Sequence, residues 1–128
     1  MDLNATTAAL AAGIVKQCRR LYSLGARSFL LMNMYPINQS PKYNLEHEVG
    51  HDLQDLVAES VDAYNFHLER IVTEWREEAD DANIMLFDLN SFWKLVLCYP
   101  EIFGLTDITR YQMSLDGHRP DLGRMGFW

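Results

Sequence analysis

"LYSLGARSFLLMNMYPINQSP", residues 21–41, carries the chain out of one kind of secondary structure and into another. A helical pattern runs into Gly25, a short apolar run follows, and Pro36 closes it. Upstream, Leu10, Ile14, Cys18, Leu21 and Tyr22 recur at helical spacing, which predicts a helix over residues 3–24 with these side chains turned to a core. Gly25 is placed to end it, because a residue without Cβ enters the left-handed conformation of a helix cap at little cost. "SFLLMNM" (28–34) is too short for an independent helix and almost unbroken in its apolar character, so it predicts a strand buried on both faces.

Further along, Leu53, Leu56, Val57, Ser60, Val61, Tyr64, Leu68, Ile71, Val72 and Trp75 follow the i, i+3, i+4, i+7 rule. They predict a second helix from about Asn44 or Asp52 to Arg76, closed by the acidic run "EEADD" (77–81), which stays off its core face. A second apolar strand, "NIMLFDL" (83–89), comes next, then a short helix in "NSFWKLVLCYP" stopped by Pro100. Strand, long helix, strand is by default a crossover unit with parallel strands, hence an α/β layer. Two such strands need cover on their faces and edges that this arrangement does not supply.

Composition narrows the function classes. With 128 residues, 48% hydrophobic, the chain is expected to form a single domain burying about two-thirds of its unfolded surface. A net charge of −7 argues against nucleic acid, which is bound through clustered Lys and Arg; "KQCRR" (16–20) is the one basic knot and reads as a solvated helix face. No apolar run approaches the ~18 residues of a membrane span, and Asp2 stands where a signal peptide carries Lys or Arg, so neither membrane nor export is predicted. Cys18 and Cys98 have no metal-ligand spacing and fall among apolar positions, which predicts buried free thiols.

Two constellations could carry chemistry. "HEVGH" (47–51) has the H-E-x-x-H spacing: on a helix His47 and His51 stand one turn apart and could hold Zn²⁺ while Glu48 activates its water, with Glu59 or Glu69 as third ligand. The alternative is two surface histidines at a helix start. "LDGHRPD" (115–121) offers Asp116 and His118 as the orienting acid and general base of a serine hydrolase, or else a turn rich in Asp, Gly and Pro. Asn33 and Asp88 close the two strands on the edge where α/β active sites open, although Asn33 also suits a turn and Asp88 a helix cap.

The opening stretch resembles the segment of GDSL/SGNH-type esterases in which a helix ends in Leu-Tyr and Gly-Ala-Arg and a strand leads to Asn and a Pro-bearing loop. "AYNFHL" (63–68) resembles the Tyr-Asn-x-x-Leu of the helix that follows in that family. "IMLFDLNSFWKLVLCYPEIFGLTDIT" (84–109) resembles its strand ending in Phe-Asp, then helix, Pro, aromatic-Gly and Asp-x-Thr. "LDGHRPD" falls where the family has Asp-x-x-His-Pro, and the nearest likeness is to the fungal carbohydrate-esterase branch. The resemblance covers roughly residues 10–122 and implies a three-layer α/β/α hydrolase domain, a Ser nucleophile, an acyl-ester or acetylated-carbohydrate substrate and no cofactor.

It also implies that this chain is the C-terminal part of one such domain over residues 1–128. The Gly-Asp-Ser block and the oxyanion-hole blocks precede the matched region in the family, and none of Ser23, Ser28, Ser40, Ser60, Ser91 and Ser114 has a nucleophile's setting. Aligned on Pro120, Asp116 takes the acid's place but Arg119 takes the base's, and a guanidinium stays protonated. His118 serves only if the loop shifts by one residue. A zinc peptidase and a non-catalytic interaction module, the latter self-associating or adding a partner's strand through an open sheet edge, stay as alternatives.

Overall fold

Why the chain settles into a parallel pair is visible at the glycine that precedes it. The computed structural model describes residues 2–109. Helix α1, Leu3–Ser23, starts at Asp2, whose carboxylate accepts from the backbone N–H groups of Asn4 and Ala5 at 3.0 and 3.2 Å. It ends as anticipated at Gly25, with φ 105°. There the Gly25 N–H donates to the Tyr22 carbonyl and the Ala26 N–H to the Leu21 carbonyl, the two bonds of a Schellman cap. The chain is thereby turned straight into strand β1, Ser28–Met32.

Helix α3, Gln54–Glu78, then crosses to β2, Asn83–Phe87. The strands pair in parallel with Ser28 opposite Asn83 and Met32 opposite Phe87, as the crossover pattern predicts. Two compact units result, one of residues 2–35 and 59–90, the other of 36–58 and 91–109.

The first unit holds the sheet. Phe29 and Leu31 of β1 and Ile84 of β2 pack with Ala11 and Val15 of α1 and with Leu68, Val72 and Trp75 of α3. Trp75 is the centre: it is almost fully buried, with Phe29 at 4.9 Å and Tyr22 at 6.3 Å between ring centroids, both edge-on. Below the sheet, Arg19 bonds Glu78, and Asp81 accepts from both Tyr22 and Arg27, whose guanidinium also lies 4.3 Å from the Tyr22 ring. The acidic run therefore stays off the helix core, as expected, but ties α1 to the end of α3.

Three expectations are corrected. The strands are buried on one face only: Leu30, Met32, Met85 and Phe87 alternate with the core residues and are exposed, Leu30 by 63%. On α1 the inward stripe is Thr7, Ala11 and Val15, with Cys18 and Tyr22 beside it, while Leu10, Ile14 and Leu21 face out. Small side chains let a helix approach a sheet closely, so they win the contact although the larger ones are more hydrophobic. Cys98 is exposed, and only Cys18 is partly buried, its thiol pKa raised by that burial.

In the second unit, the short helix α2, Pro41–Asn44, is started by a proline at its first position, where the missing N–H costs no bond. Gln54 ties the segment together by donating to the Asn38 carbonyl and to Asn44 Oδ1 at 3.2 and 3.1 Å. Helix α4, Leu89–Cys98, ends before Pro100 as predicted. Gly104, at φ 72°, closes a 3₁₀ turn, Pro100–Phe103. Asp107 then accepts from the N–H and hydroxyl of Thr109, which accounts for the Asp-x-Thr pattern as a side-chain turn.

Candidate functional site at the strand ends

Parallel strands deliver their carboxyl ends to the same edge, and here that edge is a closed hydrogen-bond ring. Asn33 N–H continues the ladder to the Phe87 carbonyl at 3.2 Å. Its side chain then works in both directions: Nδ2 donates to Asp88 Oδ1 at 2.8 Å, and Oδ1 accepts from the Asn90 N–H at 2.8 Å. One residue on, Met34 is gripped by Asn65 of α3, which accepts from its N–H at 2.7 Å and donates to its carbonyl at 2.9 Å. Asn90 Nδ2 donates to the same carbonyl at 3.0 Å. An amide can donate and accept at once, which is why three asparagines rather than acids or amines do this.

The ring fixes where β1 and β2 release the chain. It engages both the oxygen and the nitrogen of the Asn33 and Asn65 amides, so they act as scaffold. Asn33 and Asp88 thus lie together at the expected edge. Asn65 and Asn90 were not singled out from sequence, although "AYNFHL" placed Asn65 in a motif.

Beside the ring a recess of about 380 Å³ runs along α3. Asn33 and Asp88 of the ring line it together with Phe66, Glu69, Arg76 and Leu86. Arg76 Nε donates to the Ile84 carbonyl at 2.8 Å. Since Asn83 and Phe87 bond toward β1, Ile84 faces the outer edge of β2, and Arg76 covers that edge.

The histidine pair takes a different course from that expected. Residues 45–50 form turns, and His51 begins a 3₁₀ turn, His51–Leu53, so His47 and His51 do not stand on one helix face. His51 Nδ1 donates to the Tyr43 carbonyl at 3.3 Å, while His47 is 77% exposed with Nε2 3.8 Å from Glu48. Gly50 has a packing reason to be glycine: a Cβ there would sit 2.6 Å from the Lys42 carbonyl oxygen. Among the described residues no three His, Cys, Asp or Glu side chains gather as a metal site, and no helix is long and apolar enough to cross a membrane. Asp116, His118 and Arg119 lie outside the described residues.

An α/β layer with parallel strands opening onto a polar ring is consistent with a hydrolase fold of SGNH type. The sequence model for GDSL-like lipase/acylhydrolases matches residues 4–120, and the chain belongs to that family of ester hydrolases. No curated protein matches it.

Proposed function

We propose that this chain contributes the C-terminal part of a GDSL-type carboxylic ester hydrolase acting on acyl esters or acetylated carbohydrates, with the Ser nucleophile and oxyanion donors supplied by sequence outside these residues. The observation that carries the reading is the family match over residues 4–120, which takes in the strand pair, its polar ring and, up to Pro120, the "LDGHRPD" segment in order. Among the described residues the outer face of the sheet is exposed, which supports the partial character, since parallel strands are stable when covered on both sides. Asp116 is the orienting acid and His118 the base that takes the serine proton, with the loop register shifted by one residue from the family pattern. Without a nucleophile an acid and a base leave little of the rate, as losing the serine of a triad costs on the order of 10⁶ in kcat.

The test compares the chain alone with the chain preceded by its encoded upstream sequence, using p-nitrophenyl acetate hydrolysis and fluorophosphonate labelling. Only the longer product should turn over and be labelled, and Asp116→Asn or His118→Ala in it should lower kcat by a factor of about 10² or more. A longer product that neither labels nor hydrolyses ends the reading.

A second reading, an interaction module, is favoured by the unequal sheet edges. Arg76 occupies the outer edge of β2, whereas β1 carries no charged residue from Ser28 to Met32 and exposes Leu30 and Met32. It predicts concentration-dependent association in sedimentation that Leu30→Lys abolishes; a monomer at every concentration removes self-association.

A further inference from the structure

We propose that the recess along α3 is a binding subsite for a neutral oligosaccharide. The proposal rests on the ester-hydrolase reading for the ligand's class and deepens it.

Three features of the recess define the ligand. It is elongated: Phe66, Glu69 and Arg76 fall within about 80° of one another around α3 and span about 15 Å along its axis. At about 380 Å³ its volume lies at the low end of small-ligand sites, which run from about 300 to 1,000 Å³. It is amphipathic in the manner of a sugar ring. Phe66 is 64% exposed, offering an aromatic surface to ring C–H groups. Glu69 makes no hydrogen bond or ion pair among the described residues, and Arg76 spends only Nε, on Ile84, keeping its terminal amino groups as donors. Adjacent hydroxyls, each both donor and acceptor, match that acceptor and those donors.

Charge and backbone geometry exclude the competitors. Glu69 offsets Arg76 in the lining, so the recess has no excess of positive charge with which to hold phosphate, sulfate or a uronic acid. An extended peptide would have to pair with the outer edge of β2, and the Arg76 guanidinium already holds the Ile84 carbonyl there.

The experiment is saturation-transfer NMR on the full chain with unsubstituted xylotetraose and cellotetraose, followed by titration. Trigalacturonate and a chitosan tetramer serve as anionic and cationic controls. The expected result is transfer to the ring protons of at least one neutral tetrasaccharide, and affinity reduced at least tenfold by Phe66→Ala and by Glu69→Ala. Both positions are exposed, and unchanged circular dichroism confirms that the variants fold. No transfer to either neutral probe, equal affinity in both variants, or preference for a charged control overturns the proposal. Hydrolysis by the upstream-extended protein without binding here removes the subsite alone; binding here without hydrolysis in that protein removes the ester-hydrolase reading alone.

Discussion

The two faces of the sheet have nearly the same hydrophobicity and very different surroundings. Phe29, Leu31, Ile84 and Leu86 lie against two helices; Leu30, Met32, Met85 and Phe87, one residue out of step, lie open. Apolar character alone therefore does not say which parity of a strand is buried. Helix position does, and α1 and α3 both cover the same side. The inner face contributes stability only while the strand ends stay clamped, by Asn33 above and by the Gly25 cap and Asp81 below.

Truncating one residue on each face should separate the two most strongly. Trp75→Ala, under the inner face, is expected to lower the unfolding free energy by about 3–5 kcal/mol in urea denaturation, whereas Leu30→Ser on the outer face should change it by no more than about 0.5 kcal/mol. Equal losses would mean the outer face is covered in solution. Removing the upper clamp by Asn33→Ala leaves the Asn90 N–H and Asp88 without that partner and should cost about 1–3 kcal/mol. Amide exchange should show the loss at Asn90 first. At the lower clamp, Gly25→Ala meets no steric neighbour, so only the left-handed backbone strain counts, about 1–2 kcal/mol by the same denaturation measurement.

The smallest effect is electrostatic. The Tyr22 hydroxyl, and then Arg27, hold the Asp81 carboxyl below the usual range, and Arg19 does the same for Glu78. A carboxylate pKa lowered on folding contributes stability that is present above its unfolded value and lost as pH falls through its folded one. The Tyr22 hydroxyl, raised chiefly by its bond to Asp81, contributes in the opposite sense: its share is present below the ordinary phenol value and is lost as pH rises through the folded one. These groups are exposed and screened, so the difference in urea midpoint between the native chain and Asp81→Asn should be small at neutral pH and shrink toward acid. A difference that grows toward acid would contradict the assignment.

Element positions were legible in the sequence because each had a local signal: Gly25 for the cap, Pro100 after α4, and short apolar runs for both strands. Val61, Leu68, Val72 and Trp75 kept their predicted core face. What was misread had two valid local solutions. Helix α1 carries an apolar stripe of large residues and another of small ones, and only the distance to the sheet selects Ala11 and Val15. "HEVGH" reads as one helical face until the close approach of Gly50 to Lys42 fixes it as a turn.

At the candidate site, Asn33 and Asp88 were readable from strand ends. Asn90 acts through its own backbone N–H and an amide turned back to Met34, and the recess needs Phe66, Glu69 and Arg76 read together with β2. Such contacts join residues distant in sequence and leave no period to detect.

The pairing of Ser28 with Asn83 carries a kinetic consequence. Every rung between β1 and β2 must wait until the whole of α3 has been folded back, so the sheet has no local nucleus and closes a long loop before any ladder bond forms. Helices α1 and α3 can gain structure earlier, and during that interval Leu30, Met32, Met85 and Phe87 are available to any other unfolded chain nearby. Yield on refolding should therefore fall steeply with protein concentration and recover when a holdase chaperone is present from the start.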